Sequence, residues 1–208
     1  MKNIQIAASL LASDQLNLMT ELASIKNLVD RIHLDVMDGH MVPNMALNPA
    51  VIRAIPDDWQ RDIHLMVINP EEVSEWLDLR AGDTLYFHSH AAENLQKFIE
   101  SLNTRGVVPG FAIDLDFPLE ENVQLLATCD SFLVMGVKPG FSGQTMNINT
   151  VNRVQWLKER FPQTTIAVDG GVNNKNALQL VKTGADILVV GSYLFRAQNR
   201  AEAIKTLF

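Results

Sequence analysis

The sequence predicts a single (β/α)8 barrel of the TIM type, an α/β fold, with residues 1–208 forming one domain. Eight short runs rich in apolar and β-branched residues follow one another along the 208 residues. Amphipathic stretches separate most of these runs, and strands that alternate with helices pair in parallel through right-handed crossovers. An open doubly wound sheet is the alternative, which we disfavour because no GxGxxG motif follows the first run.

The predicted strands are short, as buried parallel strands usually are. The first lies inside the opening MKNIQIAASLLAS, which imitates a secretion signal, but Gln5 interrupts the apolar stretch and favours a strand. In chain order, the eight strands are predicted at residues 4–9, 31–36, 62–67, 84–88, 107–113, 131–137, 165–169 and 186–191.

Helical patterns fill five of the intervals between strands. Several begin with a capping residue or an acidic first turn and end near a glycine, which are the usual helix boundary signals. The segments after the second and fifth strands have the weakest helical pattern. The five helices are predicted at residues 13–28, 70–81, 91–106, 149–161 and 173–184.

Composition excludes two classes of partner and favours one compartment. The net charge of -7 argues against a nucleic-acid partner, because binding to phosphate backbones needs clustered Lys and Arg. No apolar stretch reaches the roughly 20 residues of a membrane helix, so no membrane partner is expected. Cys129 is the only cysteine, which precludes an intrachain disulfide and favours the cytoplasm.

Two histidines and two carboxylates are predicted to meet inside the barrel. Side chains alternate along a strand, so His33 and Asp35 share one face of the second strand. The third strand places His64 in the same way, and Asp169 ends the seventh. This set suits one divalent metal ion: Zn, Fe, Mn or Co. The alternative is that each His is a hydrogen-bonded core residue and each Asp caps a turn.

Glycine-rich turns follow the sixth and eighth strands, at residues 137–144 and 189–195. Such turns can direct backbone N–H groups toward an oxyanion, although plain turn chemistry also explains them. Lys138 lies in the first of these loops and not in a strand, so we expect a phosphate-side or solvent-facing role and not a Schiff base.

Together these residues resemble the ribulose-phosphate 3-epimerase family over nearly the whole chain. The family's motifs appear in order as SLLASD, HLDVMDGHMVPN, DIHLMV, PGFSGQ, VDGG and GS. The resemblance implies a barrel of the ribulose-phosphate-binding type and an isomerase that epimerises carbon 3 of a ketose phosphate. D-ribulose 5-phosphate, converted to D-xylulose 5-phosphate, is the expected substrate.

The resemblance also implies a role for each matching residue. Asp35 and Asp169 fall on the acid/base pair, and both belong to the metal ligands together with His33 and His64. A small-molecule sugar phosphate and a homo-oligomer are the implied partners. His88 is expected near the site and His40 in solvent. The implied substrate-binding residues are Ser9, His64, Met37, Met66, Met135, Gly140, Phe141, Ser142, Gly143, Gly170, Gly171, Gly191 and Ser192.

The expected reaction explains why two carboxylates are needed. Epimerisation removes a proton from one side of carbon 3 and returns one to the opposite side, so two acid/base groups must flank it. A metal that binds the two oxygens stabilises the cis-enediolate formed between these transfers. Apolar methionines exclude water, and the phosphate anchors the end of the substrate that does not react.

Three positions depart from the family pattern. Asp114 and Asp116 stand where L-N-P-x-T-P is usual, and His90 stands where Glu is frequent. These changes keep D-allulose 6-phosphate or another ketose phosphate open as the substrate. A non-catalytic phosphosugar-binding protein is the alternative from another class.

Overall fold

The structure, a computed structural model, describes residues 4–208. Eight parallel strands close into one barrel in sequence order, which confirms the predicted (β/α)8 architecture. Residues 1–3 of the signal-like opening lie outside the described residues, and the remainder of that stretch includes the first strand. The strands are β1 Gln5–Ser9, β2 Arg31–Met37, β3 Gln60–Met66, β4 Thr84–Phe87, β5 Val108–Ile113, β6 Ser131–Met135, β7 Thr165–Asp169 and β8 Ile187–Val190.

Helices follow every strand in the described range. The two intervals with the weakest helical pattern contain short helices, α2 (Pro49–Ala54) and α5 (Val123–Leu126). Asn48 caps α2 by accepting hydrogen bonds from the N–H groups of Ala50 and Val51. Two further helices after β8 were not predicted. The helices are α1 Leu18–Ile25, α2 Pro49–Ala54, α3 Pro70–Trp76, α4 Leu95–Thr104, α5 Val123–Leu126, α6 Thr150–Arg160, α7 Ala177–Thr183, α8 Ser192–Phe195 and α9 Arg200–Lys205.

Alternation along each strand divides the core into two layers. Ile32, Leu34, Ile63 and Leu65 point outward and are fully buried in the layer between strands and helices. Small and large side chains fill the barrel interior, because the space around its axis is narrow. The interior cluster consists of Ala7, Tyr86, Ala112, Leu133, Met135, Ala167, Ile187 and Val189.

An ion pair closes the N-terminal end of the barrel. Arg31 Nε donates to Asp62 Oδ2 over 2.9 Å, and the Arg31 guanidinium also donates to Thr84 Oγ1 over 3.0 Å. Asp62, which shares a face with His64, is therefore neutralised by a partner inside the barrel. Because Asp62 is already ion-paired, we look for reactive polar groups at the C-terminal end of the barrel interior.

None of the helices in the described part of the chain has the length and apolar character that crossing a bilayer needs.

That the whole of residues 1–208 acts as one catalytic domain stays a prediction.

Candidate active site

A cavity of about 310 Å³ opens at the C-terminal ends of the strands. Asp35 and Asp169 both line it, and so does every predicted substrate-binding residue except His64. His33 and His64 are fully buried and are not among the lining residues. The predicted residues in the lining are Ser9, Asp35, Met37, Met66, Met135, Gly140, Phe141, Ser142, Gly143, Asp169, Gly170, Gly171, Gly191 and Ser192.

Asp35 lies at the centre of the polar cluster. Its Oδ2 accepts a hydrogen bond from Ser9 Oγ over 3.0 Å. Its Oδ1 lies 3.3 Å from His64 Nδ1 and 3.5 Å from His33 Nε2. Register explains the first two contacts, because β1 pairs Ser9 with His33 and β3 pairs His64 with Asp35. β1 and β3, the strands on either side of β2, thus direct Ser9 and His64 toward the Asp35 carboxylate.

The residues fit a divalent metal ion. His33, Asp35, His64 and Asp169 each offer a ligand atom, and these atoms all lie within 4.8 Å of one another. Both ring nitrogens of His33 are buried without a hydrogen-bond partner in the described structure. A buried polar group without a partner is costly, and a metal would satisfy it. Two imidazoles and two carboxylates suit a first-row ion.

The protein environment pushes the pKa values of the two carboxyl groups in opposite directions. Burial opposes ionisation of Asp35, but the adjacent His33 and His64 outweigh burial and lower its pKa. Burial and the Asp35 charge raise the pKa of Asp169 to about 6, against the attraction of His33. Carboxyl groups held in unlike environments are a common arrangement for acid/base pairs.

The pKa values of the three buried histidines shift in different directions. Burial lowers the pKa of His33, but the Asp35 carboxylate outweighs it and raises the pKa to about 9 when no metal is bound. Burial lowers the pKa values of His64 and His88 despite their carboxylate neighbours. His64 and His88 are therefore neutral imidazoles at neutral pH.

Three methionines wall the cavity above the carboxylates. Met37, Met66 and Met135 are each buried, and all three line the space. Met37 and Met66 pack with Val42 in an apolar cluster at the mouth. This part of the cavity lining is therefore apolar.

The glycine-rich loops meet at the other side of the cavity. Gln144 Nε2 donates to the carbonyl oxygens of Lys138 and Phe141, over 2.8 Å each, which holds the β6–α6 loop in shape. Ser192 Oγ is buried and has no hydrogen-bond partner in the described residues. An added Cβ at Gly143 would lie 3.5 Å from this oxygen. The two loops therefore approach each other closely, with an unsatisfied hydroxyl between them.

Arg196, a residue not predicted from the sequence, also lines the cavity. Its guanidinium would lie 3.4 Å from a Cβ at Gly143, so it reaches the β6–α6 loop from just beyond α8. The sequence did offer one signal for this residue, because a basic side chain stands four positions after Ser192 of the GS motif. The side chain adds a positive charge where the glycine-rich turns converge.

The remaining residues singled out from the sequence lie at the edges of the site. Lys138 is exposed on the cavity rim. His40 is exposed, and its Nδ1 lies 3.0 Å from the Asp38 carbonyl oxygen. His88 is buried beside His64, with their Nε2 atoms 3.1 Å apart. The structure thus places His88 near the site and His40 in solvent, as expected.

Gly171→Ala is expected to destabilise the fold more than Gly82→Ala. Both glycines have positive φ angles, +73° and +94°, so alanine costs about 1–2 kcal/mol at either position. Only at Gly171 would the Cβ also collide, at 2.5 Å from Met146 N, which adds about 1–3 kcal/mol. Urea unfolding measures both variants, and equal losses of stability would contradict the close packing of this loop.

The barrel fold and the polar cavity at its C-terminal end define an enzyme of the (β/α)8 barrel class. The family model described as "Ribulose-phosphate 3 epimerase family" matches residues 5–195. The chain belongs to this family. It is therefore an epimerase, an enzyme of the isomerase class, and the non-catalytic alternative is not supported.

Relatives from several organisms match over nearly their full length. Ribulose-phosphate 3-epimerase of Schizosaccharomyces pombe is 33% identical, covering 100% of this chain and 93% of its own. The Helicobacter pylori enzyme is 33% identical, covering 98% and 96%. The cytoplasmic isoform of Oryza sativa subsp. japonica is 34% identical, covering 98% and 92%.

Solved structures of other enzymes share the fold. KGPDC from Streptococcus mutans superimposes with a TM-score of 0.73 at 15% identity, covering 99% of this chain and 96% of that one. 3-Hexulose-6-phosphate synthase from Salmonella typhimurium gives a TM-score of 0.71 at 14% identity, covering 98% and 96%. At these identities the likeness concerns the fold alone.

Proposed function

We propose that the protein epimerises carbon 3 of D-ribulose 5-phosphate, giving D-xylulose 5-phosphate, by proton transfer between two carboxyl groups. One observation carries the proposal: Asp35 on β2 and Asp169 on β7 line the same cavity from separate strands, with ligand atoms within 4.8 Å. β1 and β8 lie between these two strands around the barrel, so the carboxylates approach from different directions. Family membership supports epimerisation of a ketose phosphate.

Each carboxyl group acts on one side of carbon 3. The ionised group removes the proton from its side, and the protonated group on the other side returns one, which inverts the centre. Which group acts first depends on the direction of the reaction. Ser9 donates to Asp35 Oδ2 and so fixes the carboxylate orientation. The methionine walls reduce the chance that water protonates the intermediate from the wrong side.

His33, Asp35, His64 and Asp169 would hold the divalent ion, and the lack of a hydrogen-bond partner at both His33 nitrogens supports this assignment. When bound, the ion supplies electrophilic stabilisation of the substrate oxygens on which negative charge develops. Zn, Fe, Mn and Co all fit such ligands, so the identity of the ion stays open.

The phosphate is proposed to lie between the glycine-rich loops, beside Ser192 and Arg196. Arg196→Met is expected to raise the KM for D-ribulose 5-phosphate by about 10–100-fold with a smaller effect on kcat, because a charge-assisted contact to the phosphate is lost. Steady-state kinetics measure both constants. Arg160→Met is the control, because Arg160 is exposed on α6 and is not part of the cavity lining.

Inorganic phosphate gives an independent readout of the same residue. It should inhibit the wild type competitively and inhibit Arg196→Met more weakly. An Arg196→Met variant with unchanged KM and unchanged phosphate inhibition would contradict the placement of the phosphate.

Substrate choice is tested by comparing kcat/KM for D-ribulose 5-phosphate and D-allulose 6-phosphate. The preference expected here is for the pentulose, in line with the names of the relatives. Asp114, Asp116 and His90 depart from the family pattern at the mouth of the barrel, which is the observation that favours the hexulose. A higher kcat/KM for D-allulose 6-phosphate would overturn the proposed substrate and leave the proposed chemistry unchanged.

The cytoplasmic location and the homo-oligomer stay predictions.

A further inference from the structure

A series of hydrogen-bonding contacts runs from the metal cluster to a carboxylate at the end of β5. Asp35 Oδ1 lies 3.3 Å from His64 Nδ1, and His64 Nε2 lies 3.1 Å from His88 Nε2. His88 Nδ1 lies 2.9 Å from Asp114 Oδ2. We call Asp35, His64, His88 and Asp114 the histidine network.

The two imidazoles meet edge to edge. Their centroids are 5.3 Å apart and their planes differ by 28°, whereas the two Nε2 atoms are only 3.1 Å apart. The nitrogens therefore lie between the rings, where one donates and the other accepts. Both histidines are almost completely buried, so water does not compete for this contact.

Only one proton arrangement satisfies every contact when a cation is shared by Asp35 and His64. An ionised carboxylate only accepts, and a neutral imidazole has one N–H and one lone pair. If Asp114 accepts from His88 Nδ1, then His88 Nε2 carries a lone pair and must accept from His64 Nε2. His64 Nδ1 is then unprotonated, and its lone pair faces the ligand set.

The opposite arrangement leaves a conflict in the network. If His64 Nδ1 donates to Asp35, then His64 Nε2 is a lone pair and His88 Nε2 must donate to it. His88 Nδ1 would then present a lone pair to the Asp114 carboxylate at 2.9 Å, and two acceptors would face each other. Asp114 thus decides which nitrogen of His64 is free.

We propose that Asp114 is a positioning residue that, through His88, keeps His64 protonated on Nε2 and leaves Nδ1 free to bind the divalent ion. This inference rests on the metal site of the proposed function and extends it by two residues. Hydrogen bonds to the second nitrogen commonly set the tautomer and orientation of metal-bound histidines. An asparagine at position 114 would offer both N–H and carbonyl groups and would not impose this direction as a carboxylate does.

The test compares Co²⁺ binding by Asp114→Asn and Asp116→Asn in the full-length protein. Asp116 is exposed on the same loop, two residues further on, and provides a matched control. We expect Asp114→Asn to weaken Co²⁺ affinity by about 10–100-fold, as other losses of partners to metal-bound histidines do. The visible spectrum of bound Co²⁺ should also change. Asp116→Asn should match the wild type in both.

Further readouts separate positioning from a general loss of structure. Thermal unfolding of chelated Asp114→Asn should resemble that of the chelated control, and Asp114→Glu should recover part of the affinity. In the Zn²⁺-loaded wild type, ¹⁵N NMR should show His64 protonated on Nε2, and this signature should weaken in Asp114→Asn.

Two results would overturn the proposal. The first is a Co²⁺ affinity and spectrum of Asp114→Asn equal to those of Asp116→Asn. The second is two bound Co²⁺ per chain in the wild type and one in Asp114→Asn, because His88, His90 and Asp114 also form a group with ligand atoms within 4.8 Å and would then be ligands themselves. Neither readout depends on turnover, so failure of the epimerase proposal would be seen separately in the sugar assays.

Discussion

Asp169→Asn and Asp35→Asn are each expected to reduce epimerisation by about 10²–10⁴-fold or more, the range that a positioned acid or base contributes. An amide can neither remove the carbon 3 proton nor return it. Each variant keeps one carboxyl group, so each should still exchange the proton of one epimer with solvent without inverting the centre. The two variants should exchange opposite epimers, which deuterium incorporation followed by NMR measures.

Loss of metal could imitate this result, because both aspartates are among the proposed metal ligands. Each variant is therefore assayed with saturating metal and with its metal content measured. Asp58→Asn is the control, since Asp58 forms an exposed ion pair with Lys26. A metal-loaded Asp169→Asn or Asp35→Asn enzyme with near-normal turnover would rule out the two-carboxylate scheme.

Removal of the divalent ion is expected to abolish epimerisation, and its return to restore both activity and stability. A ligand bound only by the folded state adds about 2.7 kcal/mol to the free energy of unfolding at a concentration 100 times its Kd. Chelated protein should therefore unfold at a lower temperature than protein supplied with Zn²⁺, Mn²⁺, Fe²⁺ or Co²⁺. The ion that restores the highest rate at physiological concentration names the native metal.

His33→Gln and His40→Gln give this prediction a matched pair of histidine variants. His33 is buried, and neither of its ring nitrogens has a hydrogen-bond partner in the described structure, whereas His40 lies exposed in the loop after β2. His33→Gln should lose most of the metal-dependent stabilisation, and His40→Gln should keep it. Full turnover by protein that contains no measurable metal would contradict the role of the cluster.

Much of the site was predictable because local rules fix it. Alternation along β2 places His33 and Asp35 on one face whatever the barrel around them, and parallel strands bring their C-terminal ends to one edge. Asp169 ends β7 for the same reason. Predicting the positions of these residues required only the correct strand assignment, and the apolar residues that flank them indicate that assignment.

The contacts of His88 and Asp114 could not be predicted in this way, because they depend on register around the closed barrel. β4 pairs Tyr86 with His64 on one side and with Gly110 on the other. On the same faces, His88 lies one level beyond Tyr86 and Asp114 lies two levels beyond Gly110. Arg196 was missed because its approach to Gly143 depends on where the end of α8 lies relative to the β6–α6 loop. Both features come from tertiary packing, which no local pattern records.

Proton NMR in D2O, with metal-loaded wild-type protein and D-ribulose 5-phosphate, is the decisive measurement of epimerisation by two carboxyl groups. We expect deuterium to enter carbon 3 while D-xylulose 5-phosphate appears, because the proton passes through carboxyl groups that exchange with solvent. Folded, metal-loaded protein that forms the epimer without any deuterium at carbon 3, or that leaves the sugar unchanged, would contradict it.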